Sequence, residues 1–529
     1  MSYRSRSDSA RSLTPQPPLP RAGEGGPESS ARRWWLALAL ALGTTLALTG
    51  PAVSADAPAE DPEEHHAEED HSDDEDHGKG HGKGHGGHGG HGSSRLTDEA
   101  RPLADLPERP KPLIELGEPF LGTGTLSPGF ELPTGAVWQP SLLVFGTLRT
   151  AVQSFEPDTA AGGRITELST RLDLFANLAL TGSERLVAGI RATDGQGRFT
   201  SYFFEHPDPD LDGEFRDEID ADLEVLFFEG EIGEIFPNLD RDDFGSLDLG
   251  FSVGRQNLLF QEGLLINDTI DGFGLTRNTL LPGNSSNFRI TAFYGWGNVD
   301  TSRGAERDGE MFALLTSTDL RKSTVDADVA YVRTDDATGD LIAAGISAVQ
   351  RLGRTNSSFR LLASQAVDDP TPFANDGVLL FSELSWVPHG THDLVYFNSF
   401  WAHDTYTPAA RGVGGVAAGP LGRAGINFAS VDIGSFDAPL SSQASDVVGG
   451  AFGYQRFLDH TRKQLLVELG FRVGTRSSVT DAVAATVRWQ QAHGRRFVLV
   501  LDAFVAHRER LFGGDETPFG GRVELVVKF

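Results

Sequence analysis

Eight of the chain's fifteen histidines crowd into one stretch. They are His65, His66, His71, His77, His81, His85, His88 and His91, set among Asp and Glu in residues 56–94. Neutral imidazole ligates Zn2+, Ni2+ and Cu2+, and neighbouring carboxylates raise the affinity. No fixed pair such as HExxH occurs, so the stretch reads as a flexible sponge for divalent transition metals and not as one coordination geometry. It holds almost no apolar residues, cannot bury a core and is expected to be disordered. Two other readings stay open. One is a solvated linker of drifted composition. The other is a tether whose charge changes between roughly pH 5 and 8.

A second metal candidate lies in EHPDPDLDGEFRDEID. There Asp208, Asp210 and Asp212 followed by Gly213 match the first half of a calcium loop, D-x-D-x-D-G. The twelfth position is Ile219 where Glu is needed, and Pro209 is foreign to the pattern. A weak Ca2+ site therefore competes with a plain solvated acidic loop. Nucleophilic chemistry finds less support. The chain has no Cys. Ser399, His403 and Asp404 sit close in sequence, but a triad needs geometry drawn from several elements. No nucleophile elbow accompanies them, so an enzyme is not expected. A formal net charge of -30 argues against nucleic acid as a partner, since a phosphate-binding surface needs a basic excess.

The elements that must carry these residues are strands. The chain ends in FGGRVELVVKF. Val523, Leu525, Val527 and Phe529 share one face, and Arg522, Glu524, Val526 and Lys528 share the other. An apolar face opposite a charged one, ending on an aromatic residue, suits a strand between lipid and water in a closed barrel. The barrel assembly machinery reads such terminal strands. The same alternation recurs from residue 139 onward. In ELSTRLDLFANLAL, Leu168, Leu172, Leu174 and Leu178 oppose Arg171 and Asp173. In ERLVAGIRATDG, Leu186, Ala188 and Ile190 oppose Arg185 and Arg191. QPSLLVFGTLRTAV, from residue 139, comes first, and besides the terminal strand 519–529 fourteen further segments follow, near 219–230, 246–256, 265–276, 287–297, 309–319, 324–333, 340–351, 357–367, 378–387, 392–403, 445–457, 463–474, 480–490 and 496–508. The segments 265–276 and 340–351 alternate poorly. The fold expected is all-β, a transmembrane antiparallel β-barrel of about 18 strands, with about 16 as the alternative.

The connections sort by length. Short turns such as TGS at 181–183 and LRKS at 320–323 fall on one side, and long loops such as 153–165, 195–218 and 404–444 fall on the other. This is the asymmetry of an outer-membrane barrel, with short turns in the periplasm. The connection 231–245 breaks the rule and is a candidate for a miscounted strand. The Gly- and Ala-rich segment 404–444 is long enough to fold inward and narrow a lumen, or to stay mobile. By parity the lumen receives both signs of charge: Arg171, Asp173, Arg185, Arg191, Arg289, Asp326, Asp328, Arg360, Glu468, Arg472, Arg488, Asp502, Arg522 and Glu524. Such residues either contact solute or form structural ion pairs, and the mixture argues against sharp charge selectivity.

Ahead of the barrel, residues 1–55 read as an extended polar n-region and a secretory signal peptide. Arg32 and Arg33 precede the apolar run Trp34 to Leu48, and Val53-Ser54-Ala55 offers small residues for cleavage. A twin-arginine signal and an uncleaved anchor are the alternatives. The His-rich arm 56–94 then leads to a Pro-rich linker, 95–138, and the barrel occupies 139–529.

One stretch carries a family resemblance. In LDLGFSVGRQNLLFQEGLLINDTIDGFGLTR, residues 247–277, a strand ends in Gly254-Arg255-Gln256. Gly263-Leu264-Leu265-Ile266, Asp268 and the Asp271-Gly272 pair follow. This resembles the alginate-export porin family. The resemblance implies an outer-membrane channel, a monomer, and a role for Arg255 as a lumen or constriction cation facing anionic solutes. A structural salt bridge across neighbouring strands is the competing role. The Arg that the family often places before its apolar pair is not clearly present. No dense Arg ladder for a polyanion stands out, so the resemblance implies a porin-like channel more than alginate itself. The sequence thus points to passive passage of small or anionic solutes through a barrel in outer-membrane lipid, with no required cofactor. The alternative is a barrel-anchored metal-binding protein without channel activity.

Overall fold

A computed structural model of the chain describes residues 111–117, 128–157, 163–195, 198–220, 223–239, 247–283, 285–301, 309–334, 339–411, 419–459, 461–510 and 514–529. All of these lie in the compact unit His81–Phe529. The proposed signal peptide and the eight-histidine arm lie outside the described residues.

Eighteen strands form the wall. They are β1 Ser141–Phe155, β2 Ile165–Ala179, β3 Arg185–Arg191 (resumed as Arg198–Glu205), β4 Leu223–Glu231, β5 Leu249–Phe260 and β6 Ile266–Leu280. Next come β7 Asn287–Gly297, β8 Glu310–Asp319, β9 Ser323–Arg333, β10 Leu341–Leu352, β11 Thr355–Ala366 and β12 Gly377–Trp386. The last are β13 Leu394–Thr405, β14 Ser445–Leu458, β15 Lys463–Gly474, β16 Ala482–His493, β17 Phe497–Arg508 and β18 Phe519–Lys528. Each pairs antiparallel with its neighbours in sequence order. The ring closes where β18 pairs with β1, from Gly520 opposite Phe155 to Lys528 opposite Thr147. Closure leaves no free edge along the wall, which lipid demands, because an unpaired amide there has no water to bond.

Alternation sets the two faces. On β18, Arg522 is 5% and Glu524 1% exposed, whereas Val523 is 52% and Leu525 42% exposed. Large apolar side chains stay exposed strand after strand, among them Leu314, Val329, Ile346, Leu361, Leu469 and Val505. An apolar band of this extent is unfavourable in water and marks a lipid-facing surface. Short turns gather at one end, such as 320–322, 353–354 and 494–496, and long connections gather at the other, such as 206–222 and 406–444. The long connection 232–248 on the short-turn end conceals no strand among its described residues. It carries a helical turn, Ile232–Ile235. The Asn238 side chain and backbone amide donate to the carbonyls of Pro133 (3.3 Å) and Thr134 (3.2 Å), fastening the linker ahead of the barrel.

The two segments that alternate poorly are both strands, β6 and β10. Several of their inward residues are apolar or small, as with Ile266 and Ile270 on either side of Asp268, or Leu341, Ala343 and Gly345. Toward the long-loop end these positions pack against inward-folded segments, so the polar face that alternation relies on is interrupted there. A buried apolar cluster lies inside the barrel. It joins wall residues such as Phe293, Met311, Leu315 and Leu362 to Leu264, Leu265, Leu421 and Phe428 from inward-folded segments.

At the seam, the Phe529 amide donates to the Gly146 carbonyl (3.1 Å), and the Gly146 amide donates to that of Phe529 (2.8 Å). Strand β1 runs past this point. Its remaining edge, Leu142–Val144, pairs antiparallel with the short strand Ile114–Leu116 of the linker.

Candidate functional site

Two connections from the long-loop end turn into the lumen. The larger is 406–444, whose described residues are 406–411 and 419–444. Leu421, Phe428, Ile433 and Leu440 are almost fully buried there. Phe436 packs edge-on against Phe155 of β1 and Phe504 of β17. Polar groups of the wall then hold its backbone. The buried Glu468 carboxylate accepts from the amides of Ile426 (3.0 Å) and Asn427 (2.8 Å), from the Asn427 side-chain amide (2.9 Å) and from the Tyr396 hydroxyl. Gln153 donates to the Ile433 carbonyl at 3.1 Å, and Glu167 accepts from the Ser435 amide at 2.5 Å. Arg472 donates to the Ser441 carbonyl at 2.6 Å, and Arg508 to that of Pro439 at 2.8 Å. These wall groups do the work that water does for a surface loop.

Close approach dictates two glycines. A Cβ on Gly425 would lie 2.4 Å from Glu468 Oε2. At Gly434, φ is +61° and a Cβ would lie 2.2 Å from the Gln153 amide nitrogen.

The smaller inward element is the β5–β6 hairpin tip, 261–265. Gln261 and Glu262 both adopt positive φ, at 51° and 56°. This bends the tip across the lumen, where Gln261 donates to Asp328 of β9 at 2.7 Å. Glu262 pairs with Arg423 of the long loop at 3.1 Å, and Arg423 pairs with Glu383 of β12 at 2.9 Å. Arg360 of β11 also pairs with Glu383. Tyr406 donates to the Leu264 carbonyl (3.0 Å) and Arg411 to that of Gly263 (2.7 Å), so the two inward elements brace each other.

The expected lumen residues fall as follows. Arg171 pairs with Asp173 at 2.9 Å and with Asp432 at the loop's tip, where Arg149 also donates to the Val431 carbonyl at 2.9 Å. Burial opposes the charge on Asp432, but Arg171, Arg191 and Arg149 outweigh it and hold the carboxyl below its usual range. Arg191 reaches Asp173 at 3.1 Å and Glu224 at 3.3 Å, and Arg185 pairs with Glu229. Arg488 pairs with Asp502 at 2.6 Å. Asp502 and Glu524 flank Arg522, and Glu524 meets Arg149 at 2.5 Å across the seam. Arg472 is taken by the loop and Asp328 by the hairpin tip, as above. Arg289 is exposed into the lumen. Arg255 departs from the set. It stands opposite Leu226 and Asp271 and shares the outward parity of the exposed Val253 and Phe273. There it pairs with Asp271 at 2.9 Å, which is the cross-strand salt bridge that competed with the lumen role.

Several residues of this arrangement were not singled out from the sequence: Gln153, Glu167, Glu262, Tyr396, Arg423 and Asp432. The signal available for the loop was its apolar content, since Leu421, Phe428, Ile433, Phe436 and Leu440 are too many for a solvated loop.

The inward elements leave a cavity of about 620 Å³ on the β4–β11 side. It is lined by Ser183 and Glu231 toward the short-turn end and by Phe260 and Gln261 beneath the hairpin tip. Its wall carries a register row over five adjacent strands: Arg289, Ser317, Asp326, Ser347 and Arg360.

Asp208, Asp210 and Asp212 do not converge as ion ligands. Asp208 Oδ1 accepts from the Asp210 amide (3.0 Å) and Asp212 Oδ1 from the His206 amide (3.1 Å), so these carboxylates close turns of their own loop. Among the described residues, the side chains whose ligating atoms gather are His403, Asp404 and Asp446. Arg476 already bridges the latter two, at 2.5 and 3.0 Å.

The same architecture occurs in solved structures. A BenF-like porin from Pseudomonas fluorescens Pf-5 matches with a TM-score of 0.50 and 10% identity, over 73% of this chain and 98% of that one. The two chains share a barrel fold. OccAB2 of Acinetobacter baumannii and OccK9 (OpdG) of Pseudomonas aeruginosa each match at 12% identity and a TM-score of 0.48, over 73% of this chain and 98% of theirs. No family model matches the sequence, and no curated protein matches it. The alginate-export resemblance is therefore not borne out at family level.

Proposed function

We propose that the chain is a channel of the bacterial outer membrane that passes small polar solutes by diffusion. One observation carries this reading. A closed barrel with a lipid-facing apolar exterior encloses a polar lumen that two inward elements narrow to one side, leaving the cavity beneath the hairpin tip. Most arginines of the opposite side are engaged by the long loop or by neighbouring carboxylates, so they narrow the lumen more than they attract anions. Liposomes carrying the refolded chain should swell in small sugars and not in large ones. Equal swelling with protein-free liposomes contradicts the reading. In this reading the short-turn end faces the periplasm, the exterior contacts outer-membrane lipid, and the assembly machinery reads β18.

A second activity rests on the eight histidines of residues 56–94, upstream of the strand Ile114–Leu116. Its pairing on the β1 edge fastens the chain downstream of the histidines at the short-turn end. In this reading the imidazoles and carboxylates of 56–94 gather Zn2+, Ni2+ or Cu2+. Calorimetric titration of the full chain and of a chain lacking 56–94 tests it, and equal binding by both would overturn it.

A further inference from the structure

We infer that the strand Ile114–Leu116, ahead of the barrel, is part of the membrane-embedded wall, and that its apolar side chains take the acyl chains of a phospholipid leaflet as their partner. This rests on the lipid-facing exterior described above and does not depend on conduction through the lumen. Register carries it. On the outer face of the seam, Val523 stands opposite Val152, Leu525 opposite Thr150 and Val527 opposite Leu148. Phe529 follows opposite Gly146, with its ring against that glycine. Strand β18 goes no further, but the row does. Ile114 stands opposite Val144 and Leu116 opposite Leu142, in the same direction along β1. Positions 142 and 144 share the parity of the exposed Val152, so Ile114 and Leu116 point outward. Two segments far apart in the chain thus make one course beside β1.

The length of the crossing places this course at membrane depth. The outward positions of β1 are Leu142, Val144, Gly146, Leu148, Thr150 and Val152, free of charge from 142 to 152. A tilted transmembrane strand needs about 9–11 residues, which this span supplies. Strand β18 covers only its upper part, and the edge Leu142–Val144 would otherwise face lipid, where an unpaired backbone group finds no water. The linker strand covers that edge. Its own outward side chains stay uncovered, with Ile114 44% and Leu116 59% exposed, and they continue the apolar band without a break. Glu115, opposite Leu143, takes the inner face. The hairpin just ahead of β1 sets Phe130 opposite Trp138, both exposed, and aromatic side chains of this kind favour the membrane interface.

The chain has no Cys, so one introduced cysteine carries a single nitroxide label. Full chains with Leu116→Cys, Glu115→Cys, Val523→Cys or Arg354→Cys are refolded into vesicles of phosphatidylethanolamine and phosphatidylglycerol. Electron paramagnetic resonance then compares collisions of the label with oxygen, which concentrates among acyl chains, and with a water-soluble nickel chelate. Val523 is the lipid reference, and Arg354, exposed in a short turn, is the water reference. We expect the oxygen-to-nickel ratio at 116 to match that at 523 and to exceed that at 115 several-fold. Ile114→Cys should repeat the result at 116, which separates the strand's position from a local effect of one label. Equal ratios at 115 and 116 overturn the inference. So does a ratio at 116 that matches 354, the result a water-exposed docking site for a protein would give. Either outcome leaves the lipid-facing exterior standing, whereas a ratio at 523 that matches 354 overturns both.

Discussion

The Glu468 carboxylate on β15 and the backbone of Asn427 in the inward loop are joined at 2.8 Å, and the Asn427 side chain returns to the same carboxylate at 2.9 Å. Ile426 and Tyr396 supply two further donors, so the four acceptor positions of a carboxylate are filled without a cation. A wall residue thereby fixes where a loop of 39 residues (406–444) crosses the lumen.

Glu468→Ala removes that acceptor and leaves two buried backbone amides without partners, at about 1–3 kcal/mol each. The loop should leave the wall while the barrel remains closed. Single-channel conductance should rise about twofold or more, and trypsin should begin to cut at Arg423. Unchanged conductance together with an intact Arg423 would show that the apolar contacts of Phe428 and Phe436 suffice.

Gly434→Ala is expected to act from the other end of the loop. Its φ of +61° and the 2.2 Å approach to Gln153 deny room for a side chain. Strain of about 1–3 kcal/mol should displace residues 431–436. The readout is near-ultraviolet circular dichroism together with conductance. A variant indistinguishable from the wild type in both would contradict the packing described for this turn.

Asp432 gives the loop tip a dependence on acid. Its carboxyl is held below its usual range, so folding of the tip gains from its charge above the unfolded value of about 3.9 and loses that gain as pH falls through the lower folded value. Conductance should be flat from pH 7 to 5 and should shift below about pH 4. Asp432→Asn should show the acid conductance already at pH 7. A wild-type channel with the same conductance at pH 3 and pH 7 would remove Asp432 from this role.

The strand segments were legible because the exterior demands an apolar residue at every second position, as at Val523 and Leu525. Where the lumen is filled by protein the contrast fades. Residues Leu341 and Ala343 of β10 face inward yet pack on a core, and the inward course of 406–444 depends on contacts with strands far away in sequence. Arg255 teaches a different lesson. The family resemblance gave it a lumen role, whereas the alternation it shares with Phe251 and Val253 turns it outward in the barrel. A residue's face follows from the alternation of its strand, which a short motif does not report.

The chain of charges across the seam offers a test of closure. Arg488, Asp502, Arg522, Glu524 and Arg149 run over β16, β17, β18 and β1. Arg522→Met leaves Asp502 to Arg488 alone and Glu524 to Arg149 alone, a partial loss that costs less than the about 3–5 kcal/mol of leaving a buried charge unpaired. The urea midpoint of unfolding in detergent should fall clearly. Replacement of the exposed Val523 by Leu should leave it within about 0.5 kcal/mol. Equal midpoints for both variants would show that the seam network contributes nothing to closure.

The most direct measurement is single-channel current through the refolded full chain in a planar bilayer, beside the Glu468→Ala variant. We expect discrete, steady openings for the wild type and larger ones for the variant. Absence of current in both proteins, with circular dichroism showing folded barrels, would contradict a solute path through the lumen.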